Sequence, residues 1–392
     1  MQAIEKHASA ASNDKRPRVA LVTNVLAHYR VPCFQRLVGR MPGQVTFFLL
    51  TGGMEHRHYV MAKEDDGLPV VRLPGWRWSR PPHDDVHLND IRPILRGRFD
   101  LVILGAWDEP TYLFLWMGRV LYRQKVMFWV ESTEKDTPRS PIKETLKRIL
   151  LNRAMGCIVP GKRAFAYCHR LGQPEDRIFT APNATDRTFF RGQADRLFPE
   201  RDALRSGERV QEFVILFAGR LVEHLKGLST LIKACGQLEK NGRKVSLLVA
   251  GEGPERSSYE ALGKTENLTD LRFLGMLNHE TLCRHYAMAD VFVLPSRCEP
   301  WGFVLNEAME FGLPLIVSEA VGAGEDLVRD GENGFVFPVG DPSALAQTLE
   351  VLARDESLRQ RMGQASRSII EKFSPENWAN GVMQAIEAVT NG

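Results

Sequence analysis

Short apolar runs recur along the chain, each followed by a loop with Gly or Pro and then by a stretch with helical spacing of apolar positions. Val19–Thr23 (VALVT), Val45–Leu50 (VTFFLL), Val70–Leu73, Leu101–Leu104 (LVIL), Val126–Val130 and Cys157–Val159 read as strands. Helical stretches such as Val31–Arg40 and Ile142–Arg153 lie between them. Uninterrupted β-branched and aliphatic runs suit strands covered on both faces, so the pattern predicts a parallel sheet flanked by helices. The same alternation restarts after residue 210. Phe213–Ala218, Val245–Ala250, Leu271–Phe273, Val291–Leu294 and Leu315–Val317 read as strands, and a helix is predicted from about Leu228 to Asn241. Outer helices over Ser343–Arg354 and Ser357–Lys372 follow, and beyond Pro375 a last helix runs from about Glu376 to Thr390.

These elements divide the chain. Residues 1–17 are polar and read as a disordered tail, 18–190 as a first α/β domain, and 210–374 as a second. Between the domains, 191–209 is charged, carries Pro199 and Gly207, and reads as a linker. Residues 375–392 form a C-terminal helix expected to pack back on the first domain. The predicted fold is α/β, with two Rossmann-like domains facing each other across a cleft. In such sheets ligands bind outside the carboxyl ends of the strands.

Composition narrows the function. The 392 residues are 44% hydrophobic and 25% charged, an ordinary balance with room for two cores. With 51 basic and 48 acidic side chains the net charge is only +3, which gives no reason to expect nucleic acid as a partner. The six cysteines are scattered and form no Cys-x-x-Cys pair, the pattern of reduced thiols in a cytosolic protein. The greasy segment Thr111–Val130 contains Arg119, Arg123, Gln124 and Lys125, so it reads as a buried helix followed by a strand, not as a membrane span.

Candidate chemistry concentrates in the second half. In SRCEPWGFVLNEAMEFGLPLIVSE (Ser296–Glu319) a strand ends in a polar turn, and Gly302 opens a helix running to about Phe311. The amino end of that helix is a natural seat for a phosphate. Glu299 before the helix and Glu307 within it can accept hydrogen bonds from sugar and ribose hydroxyls; the bland alternative is a dipole-favouring carboxylate and a solvated one. AGRLVEHLKG (Ala218–Gly227) follows another strand, and Gly219, Arg220 and Lys226 there can meet a diphosphate, or be simple loop residues. AGEGPE (Ala250–Glu255) brings Gly251 and Gly253, either near a ligand or as a tight turn. Met276 and Leu277, in FLGMLNH, can hold a nucleobase through backbone groups.

Taken in order, Gly-Arg…Lys-Gly, Gly-x-Gly-Pro, Glu-x7-Glu and Asp-Gly-x-Asn-Gly (Asp330–Gly334) resemble glycosyltransferase family 4, retaining enzymes of the GT-B fold. The likeness covers about Val210–Leu352, and Ala181–Phe190 (APNATDRTFF) adds a weaker match. The resemblance implies that Arg220 and Lys226 grip the donor diphosphate, Glu307 binds ribose hydroxyls, and Glu299 lies near the transferred sugar. It also implies that Gly302, Phe303 and Val304 meet the donor through the helix start; Trp301, beside that phosphate seat, is a donor contact or packs against the cleft wall. It further implies a nucleotide-sugar donor (UDP- or GDP-linked), a glycan or lipid-linked acceptor in cell-surface polysaccharide synthesis, retention of configuration, and no bound metal or other cofactor. Such a hexosyltransferase would be cytoplasmic or peripheral on the inner membrane face.

The chain also departs from that pattern. Arg220 and Lys226 stand one residue further apart than is usual, Asp326 replaces a glutamate, and NVLAHYR (Asn24–Arg30) replaces a glycine pair. A histidine common in relatives is absent after Trp129-Val130; Glu131 stands there as a candidate catalytic residue, or as a capping or salt-bridging one. His28, Tyr29 and Arg30 are candidate acceptor contacts, or a helix-capping turn, and Trp76 and Trp78 in a long loop can stack on an acceptor sugar. Lys143, Lys147, Arg148 and Arg153 surround Ile142, Leu146, Ile149 and Leu150, an amphipathic basic helix able to lie on an anionic membrane or to be an ordinary outer layer. Two other readings stay open: a nucleotide-sugar 2-epimerase of GT-B fold, and a non-catalytic nucleotide-sugar-binding relative.

Overall fold

The computed structural model describes residues 17–50, 67–80, 83–107, 109–136 and 140–390. Nearly all of the segment read as a disordered tail lies outside them. The chain forms two compact units: one holds most of the residues up to Thr185 together with Ser374–Gly392, and the other Thr133–Thr137 with Asp186–Phe373.

The first unit runs β1 (Val19–Thr23), α1 (Val31–Arg40), β2 (Val45–Leu49), β3 (Val70–Arg72), β4 (Gly75–Arg80), β5 (His83–Asn89), α2 (Arg92–Arg96), β6 (Leu101–Leu104), α3 (Pro110–Tyr122), β7 (Lys125–Trp129), α4 (Pro141–Asn152), β8 (Cys157–Val159), α5 (Lys162–Arg170) and β9 (Ile178–Thr180). Its seven-stranded sheet has the order β3-β2-β1-β6-β7-β8-β9, and all its pairings are parallel. Alternation along each strand feeds two separate layers. Val19 and Leu21 pack in one with Phe47, and Ala20 and Val22 in the other with Phe48.

The second unit continues with α6 (Arg187–Leu197), α7 (Arg201–Glu208), β10 (Phe213–Ala218), α8 (Glu223–Lys226), α9 (Leu228–Lys240), β11 (Val245–Ala250), α10 (Arg256–Thr265), β12 (Asp270–Gly275), α11 (His279–Met288), β13 (Val291–Leu294), α12 (Phe303–Glu310), β14 (Leu315–Ser318), α13 (Gly324–Leu327), β15 (Gly334–Phe337), α14 (Pro342–Arg354) and α15 (Glu356–Ile370). Its six strands run in the order β12-β11-β10-β13-β14-β15, again all parallel. The connection order reverses beside β1 in the first sheet and beside β10 in the second, where open α/β sheets place their ligands. The final helix, α16 (Pro375–Thr390), packs in the first unit, where Trp378 meets Phe34 and Trp129 with ring centroids 5.5 and 5.2 Å apart.

Three readings need correction. Residues 191–209 are mostly helical, in α6 and α7, and belong to the second unit. Phe190, Ala194, Leu197 and Leu204 give them a buried apolar face, which the density of charge in that stretch disguises. The last helix begins at Pro375 itself and not just beyond it, because the first helical position needs no N–H partner. Trp76 and Trp78 stand on β4 of the antiparallel β4–β5 hairpin, not in a loop. The segment around 111–130 folds as α3 followed by β7, and among the described residues no helix is long and apolar enough to cross a membrane.

Candidate active site

The carboxyl ends of β10, β11 and β13 are stitched together by backbone. After β10, Gly219 N–H donates to the Ala250 carbonyl at 2.9 Å, and Leu221 N–H donates to Glu252 at 2.9 Å. The loops after β10 and β11 thus run side by side. Gly251 (φ 141°) and Gly253 permit this approach: a Cβ on Gly251 would lie 1.9 Å from the Gly219 carbonyl, and one on Gly253 2.3 Å from that of Leu221. Their first task is therefore to let two backbones touch.

Lys226 sits on α8, a single turn closed by Gly227 in the left-handed region (φ 59°). The carbonyl of Leu225 accepts N–H groups from Arg297 at 2.8 Å and Cys298 at 3.1 Å, in the loop after β13. A second tie is ionic. Glu223 accepts from Arg297 Nε at 3.1 Å and Nη2 at 2.9 Å, from Ser229 Oγ at 2.7 Å, and from Tyr259 Oη at 3.0 Å. Burial works against the Glu223 carboxylate, but the hydrogen bonds from Ser229, Tyr259 and Arg297 prevail and hold its pKa below the usual value. Together these bonds place Lys226 Nζ against Glu299, an ion pair whose side chains are only 18% and 12% exposed. Neither Glu223 nor Arg297 was expected from the sequence. They lie 74 positions apart, and only the fold makes them partners.

The helix start beyond Glu299 is fixed by strain-free glycine geometry. Gly302 has φ 98°, a conformation that L side chains rarely adopt, and it caps α12. Gly322 N–H donates to the Glu299 carbonyl at 2.7 Å and Ala323 N–H to that of Trp301 at 3.1 Å, which pins the loop from the far side. Phe303 and Val304 form the first turn of α12. Trp301 is buried, and its indole N–H donates to Asn306 Oδ1 at 3.0 Å, so the ring is packing within the unit. Glu307 is no solvated residue. It is 6% exposed and accepts from Tyr286 Oη at 2.9 Å, and burial pushes its pKa up to about 7. Arg220, in contrast, is exposed, and its guanidinium has no hydrogen-bond or ion-pair partner among the described residues. Met276 is 57% exposed and Leu277 half-buried, just past β12. Asn333, from the Asp-Gly-x-Asn-Gly loop, is wholly structural: its side chain accepts from Arg329 N–H at 2.7 Å and donates to the Leu327 carbonyl at 2.9 Å.

In the first unit, His28, Tyr29 and Arg30 form one 3-10 turn after β1. The Arg30 guanidinium lies 4.6 Å above the Trp129 ring and pairs with Glu131, just past β7. The salt-bridging alternative for Glu131 is therefore realised, while its carboxylate stays 40% exposed. A polar cluster missed in the sequence lies in the same unit. Asn24 Nδ2 donates to buried Glu109 at 2.5 Å, and Tyr112 Oη donates to Asn24 Oδ1. Trp76 and Trp78 are 74% and 52% exposed.

Comparison with known proteins accords with this arrangement. Residues 200–369 match the family model described as glycosyl transferases group 1. Among curated relatives, the phosphatidyl-myo-inositol mannosyltransferase of Mycobacterium leprae is 34% identical over 177 residues, 45% of this chain and 46% of that one. The alpha-D-kanosaminyltransferase of Streptomyces kanamyceticus is 32% identical over 152 residues, 38% of this chain and 39% of the relative. The chain thus spans less than half the length of these two relatives. Among solved structures, Anabaena HepE in complex with UDP and glucose superposes with a TM-score of 0.69 at 17% identity, covering 94% of this chain and 99% of that one. Over residues 200–369, most of its second unit, the chain is similar to the glycosyl transferases group 1 family, and its two parallel-sheet units carry the GT-B fold.

Proposed function

We propose that the chain is a retaining hexosyltransferase that moves a sugar from a UDP- or GDP-sugar to a glycan or lipid-linked acceptor in cell-surface polysaccharide synthesis. The observation that carries the reading is the Lys226–Glu299 pair, held at the switch point of the second sheet beside the amino end of α12. Arg220 offers an unpaired fork for diphosphate oxygens, and Lys226 a compact charge already in place. As the bond from the sugar C1 to the diphosphate breaks, these two cations neutralise the leaving group; the reading needs no bound metal. The acceptor oxygen bonds to C1 on the face the diphosphate leaves, and its proton passes to a departing phosphate oxygen. Glu299 orients the transferred sugar, and the buried Glu307 accepts from the ribose. Glu131, Arg30 and the aromatic face of Trp76 and Trp78 are the acceptor-side groups of this reading.

Contact with an anionic membrane on its cytoplasmic face belongs to the same proposal. On α4, Ile142 is 82% exposed and Leu146 and Ile149 about 40%, with Lys143, Arg148 and Arg153 exposed around them. Lys147 is not part of that face: its Nζ bonds Tyr167 Oη at 3.1 Å and Glu144 at 3.4 Å. The test of the activity is incubation with UDP- and GDP-hexoses and a bacterial lipid-linked oligosaccharide fraction, reading the product anomer by NMR. A product with the donor's configuration supports transfer with retention. Conversion of the nucleotide sugar without acceptor points instead to an isomerase, and binding without turnover to a sensor.

A further inference from the structure

The opposite edge of the second sheet holds a cavity that this reading does not use. It lies where β13 and β14 begin, beside α7 and α15, is open to solvent, and has a volume of about 540 Å³. Four arginines line it: Arg201, Arg205, Arg359 and Arg367. One buried carboxylate, Asp290, answers three of them. It accepts from Arg201 at 2.6 Å and Arg205 at 3.0 Å, and lies 3.8 Å from Arg359. The rim carboxylates Asp202, Glu212 and Glu356 are exposed and pair with none of these arginines among the described residues.

Part of this cationic wall is structural. Arg205 donates to the Met288, Gln211 and Glu212 carbonyls, and Arg359 to that of Leu352 at 2.6 Å, tying helix ends to the sheet. The remainder is unused. Arg201 Nε is buried without a partner, and Arg367 forms no hydrogen bond or ion pair among the described residues. Arg367 rests on the Phe198 ring at 4.9 Å, and burial together with the neighbouring Arg191 pulls its pKa down. Asp195 and Glu310 offset part of that effect without pairing with Arg367 among the described residues, so an anion bound beside it would stabilise the cation further. The floor is built for close approach. Gly363 and Gly312 bring α15 onto the loop before β14, where a Cβ on Gly363 would lie 2.1 Å from the Gly312 carbonyl. Arg359, Gly363 and Arg367 follow at four-residue spacing on one face of α15, beside Gln360 and Gln364.

We propose that this cavity binds a small phosphorylated molecule of about sugar-phosphate size, at a site separate from the donor residues. The Arg367 guanidinium and the Arg201 Nε offer N–H donors for phosphoryl oxygens. Gln360 and Gln364 supply amides for hydroxyl groups. The volume is larger than inorganic phosphate fills and falls in the range of small-molecule sites.

Calorimetric titration of the full chain with inorganic pyrophosphate and with ribose 5-phosphate tests this, using wild type, Lys226→Ala, Lys226→Ala/Arg367→Ala and Lys226→Ala/Gln364→Glu. Gln364 is exposed, so its substitution places a competing carboxylate at the cavity without disturbing the core. The expected result is one binding event that survives Lys226→Ala and weakens about tenfold or more in each double variant, the loss of one charge-assisted contact. Tighter binding of ribose 5-phosphate would mark a sugar phosphate as ligand, and tighter binding of pyrophosphate a compact polyanion. Loss of all binding in Lys226→Ala, or binding indifferent to both cavity substitutions, would overturn the proposal while leaving the donor-site reading intact.

Discussion

Replacing Glu307 by Gln should change how the stability of the second unit depends on pH. The Glu307 carboxyl is 6% exposed, and its nearest polar partner is the Tyr286 hydroxyl. Burial lifts its pKa from the 4.5 of a free side chain to about 7, against the opposing effect of the Tyr286 bond. A carboxyl whose pKa is higher in the folded protein than in the unfolded chain favours folding most below 4.5. That contribution is lost as pH rises toward 7. Between pH 5 and pH 8 the two pKa values give a loss of about 2 kcal/mol from this one group. Urea unfolding at pH 5, 6, 7 and 8 measures it as the difference between wild type and Glu307→Gln, in which the other titrating groups cancel. The wild type should lose about 2 kcal/mol more than the variant across that range. A difference that stays constant with pH would refute the argument that Glu307 is buried without a charge partner.

Four other outcomes follow from the geometry. Lys226→Ala should lower turnover by a factor of about 30 or more, corresponding to about 2 kcal/mol of lost charge-assisted hydrogen bonding, read from initial rates of diphosphate release. Arg297→Ala should lower kcat with less effect on donor affinity, because Arg297 holds the α8 turn to the Glu299 loop without itself carrying the diphosphate; equal losses in both would remove the positioning role. Gly251→Ala should cost more than about 3 kcal/mol, since its Cβ meets the Gly219 carbonyl at 1.9 Å. Gly192→Ala on α6 meets nothing within 4 Å and should stabilise by about 0.5–1 kcal/mol; thermal unfolding midpoints separate the two glycine variants.

Much of the fold was legible because both sheets are covered on both faces. Strands such as Leu101–Leu104 and Val291–Leu294 are fully buried and apolar throughout, which leaves little room for another reading. The candidate site was legible where it is local. Gly302 shows itself by standing between a strand and a helix, and its φ of 98° explains why glycine is there. What the sequence hid is long-range pairing. The arginines of 191–209 suggested a solvated linker, yet Arg191 pairs with Glu310, and Arg201 and Arg205 with Asp290, about 90 to 120 positions away. Glu307 gave no sign that Tyr286 would cover it, and the Trp-Arg-Trp alternation at 76–78 was a strand signal lost among Gly, Pro and Arg.

The central claim is that the pair at the end of β10 and β13 receives a nucleotide-sugar diphosphate. Titration calorimetry with UDP-, GDP- and ADP-sugars, with and without EDTA, on wild type and Lys226→Ala tests it most directly. The account predicts that one nucleotide series binds wild type equally well with EDTA present, and that Lys226→Ala loses that binding. Binding of equal strength in Lys226→Ala, or none by any nucleotide sugar to wild type, would contradict it.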